Sequence, residues 1–273
     1  MPMMRKKNNI VVGLTTVNTD LLRISVPALG RLRQKFMLVI YNDNPMETVS
    51  RRQIRRLGYC GDLQIVNGTE NIGTLGARMA IADAAMCSGQ MPEWVIYCDD
   101  DDILTDLEIP GVSPDNFAII QNTIVIRHRV CELLHAMDNP SDIDIDGENT
   151  ILMRPHIGFA GTLVRGKTLR KMFNVVGTFV DAIRKIDDSL DWRAPVDMMM
   201  WSYLNMFARH ENPDAVPIYM DQVNYIKNEI DTSRIKYGRL ARPVRNVDEH
   251  LRRVLAKYDA LMRTALDAAA RQG

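Results

Sequence analysis

Trp94-Val95-Ile96-Tyr97-Cys98-Asp99-Asp100-Asp101-Asp102 carries an apolar stretch straight into four consecutive carboxylates. The apolar part is the continuous run of a buried strand. The aspartates repel one another, which is costly unless a cation or solvent compensates. Because they follow a buried strand, they are held near a sheet. Hard divalent cations such as Mg2+ or Mn2+ take oxygen ligands and accept substrate phosphates as co-ligands. A solvated acidic turn is the other reading of the same residues.

Upstream, the pattern alternates. Ile10 to Leu14, Phe36 to Tyr41, Leu63 to Val66 and Trp94 to Cys98 read as buried strands. Helical patterns at Leu21 to Lys35, Glu47 to Leu57 and Asn71 to Met86 separate them, with Pro27 expected to kink the first or delay its start. This alternation predicts a mostly parallel α/β sheet with helices on both faces. Ligands of such sheets bind beyond the carboxyl ends of the strands. Three polar clusters stand at those ends: Thr15-Thr16-Val17-Asn18, Asn42-Asp43-Asn44 and Asp99 to Asp102.

The second half is less regular. Ser113-Pro114 has the form of an N-cap followed by a first-turn proline, which predicts a helix to about Met137. Pro140 to Asn149 reads as an acidic loop and Ile151 to Arg165 as extended. Further helices are predicted over Leu169 to Lys185, Val196 to Arg209 and Val247 to Ala270, with a strand over Val216 to Tyr225. The resulting organisation is a first half over 1–110, a second half of the same domain over 111–228, and a C-terminal helical extension over 229–273.

Composition narrows the class. Lys plus Arg number 34 and Asp plus Glu number 34, so net charge gives no pointer to nucleic acid. The 4 cysteines show no metal-ligand spacing and read as reduced thiols. No apolar run approaches the ~20 residues that span a bilayer, and no signal-type core follows the basic start. The expectation is a cytoplasmic protein without a transmembrane segment.

The order of these motifs resembles GT-A-fold glycosyltransferases, especially the large family-2-like group. Their apolar strand ends in Asp-x-Asp, matched by Val95 to Asp102. The resemblance implies that Asp99 contacts the ribose or supports the metal, that Asp101 ligates Mn2+ or Mg2+, and that Asp100 and Asp102 stand beside them. It implies a polar loop after the first strand, here Thr15, Thr16 and Asn18. The base-gripping turn, Asp-Asp-Gly-Ser in the family, is Asn42-Asp43-Asn44-Pro45, so Asn42 would meet the base with an amide. The family's Asn-x-Gly and Ala-Arg-Asn are matched by Asn71-Ile72-Gly73 and Ala77-Arg78-Met79, except for the final Asn. Arg78 is thereby implied as a diphosphate or base contact, a structural ion pair being the alternative. An arginine in the first turns of a helix also suits phosphate, because helix N-termini favour anions.

In inverting members a catalytic Asp opens a helix as Glu-Asp; here Val196-Asp197 keeps the Asp alone. Asp197 would deprotonate the acceptor hydroxyl, or cap the helix with no catalytic role. His156 and Gly158 fall where the family builds the donor-sugar pocket, and a β-bulge is the other reading of the glycines. Trp192 either stacks on a sugar or packs in a core, and Asp187, Asp188 and Asp191 are secondary carboxylates.

The function so implied is transfer of a sugar from a nucleoside-diphosphate sugar, a UDP-sugar foremost, to an unidentified acceptor hydroxyl. The basic residues Arg51, Arg52, Arg55 and Arg56 and the basic C-terminal segment keep a nucleic-acid acceptor open as a less favoured partner. A non-catalytic sugar-nucleotide-binding protein is another alternative. A nucleotidyltransferase is ranked low, because Gly13-Leu14-Thr15-Thr16-Val17 lacks its basic glycine-rich loop.

Overall fold

The computed structural model describes residues 10–87, 91–126, 150–153, 159–186 and 196–228. The expected acidic loop at Pro140 to Asn149 and the expected C-terminal helix lie outside the described residues.

Strands β1 (Ile10–Thr16), β2 (Met37–Asn42), β3 (Asp62–Asn67) and β4 (Trp94–Asp99) form the expected parallel group, in the order β3-β2-β1-β4. Their side chains alternate between two apolar layers. Val11, Val39, Val95 and Tyr97 face one layer, with α3 (Gly73–Cys87) packed on it. Val12, Leu14, Leu38, Ile40, Ile96 and Cys98 face the other, covered by α1 (Leu22–Arg31) and α2 (Arg51–Arg56). Burial on both faces is why β1, β2 and β4 read as unbroken apolar runs, whereas β3 lies at the sheet edge and is only partly buried. A turn of 3₁₀ helix, Thr19–Leu21, leads into α1, which carries Pro27 in its interior without ending there.

Beyond β4 the sheet becomes mixed. It continues through β8 (Leu163–Arg165), β6 (Asn116–Ile126), β9 (Val216–Asn228) and β5 (Ile103–Leu104), with β7 (Thr150–Met153) also paired to β6. β8 is antiparallel to both β4 and β6, whereas β9 runs parallel to β6 with register shifts near Gln121 and Asn122. The molecule is an α/β domain with a partly mixed sheet flanked by helices. The mostly parallel sheet expected from the sequence is parallel from β1 to β4 and mixed past β4. Helices α4 (Gly166–Ile186) and α5 (Val196–Glu211) add Met172, Phe173, Leu204 and Phe207 to the α3 layer.

The helix expected to start at Ser113-Pro114 is instead strand β6. Ser113 does act as a cap, its hydroxyl accepting from the Asp115 N–H at 3.2 Å, but the cap closes a tight turn. The residues that follow are rich in β-branched side chains, Ile119, Ile120, Thr123, Ile124, Val125 and Ile126, which favour a pleated, packed surface. Arg165 pins that turn, donating to the carbonyls of Asn116 at 2.9 Å and Ser113 at 3.0 Å while lying over the Trp94 ring.

Candidate functional site

Register aligns the polar strand ends. Thr15 is the partner of Asp99 across β1 and β4, Thr16 of Asn42 across β1 and β2, and Asn42 of Asn67 across β2 and β3. The clusters singled out in the sequence therefore stand side by side on one edge of the sheet.

The loops on that edge are wired together by short polar side chains. The Thr16 hydroxyl is 2.7 Å from Asp100 Oδ2 and 2.9 Å from the Asn18 carbonyl, and its one proton serves one acceptor at a time. The Asn18 carboxamide accepts from the Asp20 N–H and caps the 3₁₀ turn. Asn42 is fully buried. Its Nδ2 donates to the Glu47 carbonyl at 2.7 Å and its Oδ1 accepts the Asn44 N–H at 3.2 Å, so this amide orders the turn after β2. Asp43 accepts the N–H groups of Ile72 at 2.7 Å and Gly73 at 2.9 Å, while Asn71 Nδ2 donates to its carbonyl. Gly73 holds φ at 73°, where a side chain is disfavoured. The positive end of α3 is thus already met by a carboxylate of the chain.

The four aspartates diverge. Asp99 keeps 22% of its side chain exposed and pairs with Arg78, Oδ1 to Nη2 at 3.5 Å. Asp100 turns back to Thr16, and Asp101 is 4% exposed. Asp102 is as buried as Asp100, and both its oxygens are used: Oδ2 accepts the Tyr225 hydroxyl at 2.6 Å and Oδ1 accepts the Asn228 N–H at 2.8 Å, joining the run to β9.

Arg78 is the largest charged group buried here, at 1% exposure. Its guanidinium centre lies 5.7 Å from the ring centroids of both Tyr97 and Phe159, and Nη1 is 3.7 Å from Met200 Sδ. Aromatic faces and one carboxylate together replace the water an arginine loses on burial. Tyr97 in turn donates its hydroxyl to the Arg78 carbonyl at 2.9 Å and stacks on Phe159. Behind them, the Gly161 N–H donates to the Tyr97 carbonyl at 2.8 Å. Gly161 holds φ at 80°, and a Cβ there would meet the Tyr225 ring at 2.7 Å.

Burial and the carboxylates act together on their neighbours. Burial first, then the charges of Asp102 and Asp99, push the Cys98 thiol well above its ordinary value. Burial, then the Asp102 charge, does the same to the Tyr225 phenol. Burial raises Tyr97 against the opposing pull of Arg78. All three groups stay protonated beside the acidic run.

Of the residues singled out in the sequence, Thr15, Thr16, Asn42, Asp43, Asn71, Gly73, Arg78 and Asp99 to Asp102 gather on this edge, linked by strand register and hydrogen bonds. Asp197 is the second residue of α5, and its side chain lies outside what the structure describes. His156, Gly158, Trp192, Asp187, Asp188 and Asp191 lie outside the described residues. Sequence reasoning missed Tyr97, Phe159 and Tyr225, which hold Arg78 and Asp102. Tyr97 carried a signal, a lone hydroxyl inside an apolar strand, while Tyr225 carried none. Among the described residues no group of three or more His, Cys, Asp or Glu side chains forms a metal-binding cluster, and no helix is long and apolar enough to cross a membrane.

No family model and no curated protein matches the chain. Among solved structures it is similar to TarS 1-349 of S. aureus, with 13% identity and a TM-score of 0.40 over 80% of this chain and 60% of that one. It is also similar to the glycosyltransferase GlyE of Streptococcus pneumoniae TIGR4, with 15% identity and a TM-score of 0.37 over 84% of this chain and 47% of that one. The chain thus covers less than two thirds of the length of either structure.

Proposed function

We propose that the protein is a GT-A-type glycosyltransferase that moves a sugar from a nucleoside-diphosphate sugar, a UDP-sugar foremost, to an acceptor hydroxyl with Mn2+ or Mg2+. The observation that carries this reading is the alignment of Thr15, Asn42 and Asp99 on one sheet edge, with Arg78 held against Asp99.

The donor set fits a hard cation, being carboxylate oxygen only. Asp102 has both oxygens committed to Tyr225 and Asn228, so Asp99 and Asp101 would hold the ion. Such sites need only one or two protein carboxylates, because phosphates and water fill the remaining positions. When bound, the ion supplies charge neutralisation for the leaving nucleoside diphosphate. Arg78 keeps Asp99 oriented and adds positive charge beneath the same edge. Asn42, by ordering the turn after β2, shapes the wall for the base. Asp197, at the start of α5, takes the acceptor proton.

The test is a thermal-shift panel of nucleotide sugars with and without Mn2+. A donor at a hundredfold excess over its Kd stabilises by about 2.7 kcal/mol, a shift of several degrees for a chain of this size. We expect a UDP-sugar to raise Tm only with Mn2+, and Asp101→Ala to abolish the rise. Asp197→Asn should keep the rise and slow transfer by about a hundredfold. Absence of a shift from every nucleotide sugar, with metal or without, overturns the reading.

A further inference from the structure

We propose that a cleft between α1 and α2 is a second ligand site, built to take the phosphate of a small phosphorylated molecule. The cleft is open to solvent and offers about 310 Å³, at the lower end of small-molecule sites, with its arginines exposed. Its charged lining is Arg23, Arg52 and Arg56 against a single carboxylate, Asp20. Ser50 and Gln53 add neutral polar groups, and Leu57 is the one apolar member of the lining. That composition suits a hydrophilic anion.

The arginines converge for reasons of local geometry. Arg52 and Arg56 are one helical turn apart on α2 and share a face, while Arg23 approaches from the start of α1. Among the described residues none of the three makes an ion pair or hydrogen bond. The backbone donors nearby are already used. The Thr19 N–H donates to Glu47 Oε2 at 2.9 Å, the Asp20 N–H to Asn18 Oδ1 at 3.1 Å, and the Gln53 N–H to Ser50 Oγ at 3.2 Å. An anion in this cleft is therefore held by guanidinium groups, whose planar forks match phosphate oxygens. The lining comes from segments that follow β1 and β2, so the cleft flanks the same sheet edge as Asp99 but on the α1 and α2 face. It stands on its own residues, whatever the Asp99 edge binds.

Inorganic pyrophosphate is the probe, titrated calorimetrically into the full chain in low salt with EDTA to suppress metal-dependent binding. Ribose 5-phosphate and a twelve-nucleotide single-stranded DNA form parallel arms. We expect pyrophosphate, ribose 5-phosphate or both to bind. The double variant Arg52→Gln/Arg56→Gln should weaken that binding at least tenfold, and Arg23→Gln, on the other helix, should weaken it on its own. Asp20→Asn should tighten it severalfold by removing the opposing charge, and Asp101→Ala should leave it unchanged. The proposal is overturned if neither small phosphate binds, if only the oligonucleotide binds, if Arg23→Gln and the double variant bind as tightly as the parent, or if Asp101→Ala abolishes binding.

Discussion

Asp99 and Asp102 are separated by two residues and belong to different parts of the molecule. Asp99 faces inward to the parallel half, part-exposed and paired with an arginine on α3. Asp102 faces the mixed half, with both oxygens occupied by β9. The contrast teaches that a run of identical charges leaving a strand need not act as one cluster. The backbone turns as it leaves the sheet, the Asp102 N–H closing back on the Asp99 carbonyl at 3.1 Å, and successive side chains are delivered to different neighbours. One end of the run stays part-exposed beside Arg78, and the other fastens two halves of a sheet.

The largest effect should come from breaking the fastening end. Asp102→Ala strands a buried tyrosine hydroxyl and a buried N–H, and should cost about 3 to 5 kcal/mol of stability, read as a fall in the urea midpoint. If the protein instead kept its midpoint, the division between the two ends would be wrong. Gly161→Ala attacks the same end without touching a carboxylate. A left-handed backbone and a Cβ against the Tyr225 ring should together cost about 2 to 3 kcal/mol. Thr16→Val probes the other end, removing one buried hydrogen bond to Asp100 for about 1.5 kcal/mol by the same denaturation measurement. The smallest effect is one of pH. Cys98, Tyr97 and Tyr225 hold their protons more tightly folded than unfolded, so the unfolded chain loses them first. Their contribution is complete below the ordinary thiol value of 9.0 and declines as pH rises past it and past the ordinary phenol value of 10.0. A urea midpoint that is flat to about pH 9 and then falls would bear this out, and one that rises would refute it.

The two halves also differ in how far the sequence reveals them. In the parallel half, β1, β2 and β4 are buried on both faces and leave unbroken apolar runs, and polar turns stop the strands abruptly; β1 to β4 are legible to within a residue or two. The acidic run is legible as a strand end for the same reason, and Arg78 stands out through the match of Ala77-Arg78-Met79 to the Ala-Arg-Asn pattern. In the mixed half the signals are weaker or misleading. Ser113-Pro114 imitates a helix start, and only the β-branched residues after it argue for β6. β5 has two residues, too few for any period. The role of Asp102 was illegible because its partners lie 123 and 126 residues away. No local pattern encodes a pairing at that separation.

The position of β8 sets an order on how the chain can assemble. This three-residue strand sits between β4 and β6, yet it is made after both. As the polypeptide emerges during synthesis, the four parallel strands can assemble with their helices while β4 remains an open margin. β6 cannot join them until Leu163–Arg165 arrives to bridge the gap. Late insertion of a short central strand concentrates the long-range contacts in one step, and contacts of that kind slow folding. A nascent chain arrested before residue 163 would therefore carry an unpaired, hydrophobic β4 edge, the stage at which a chaperone would be needed most.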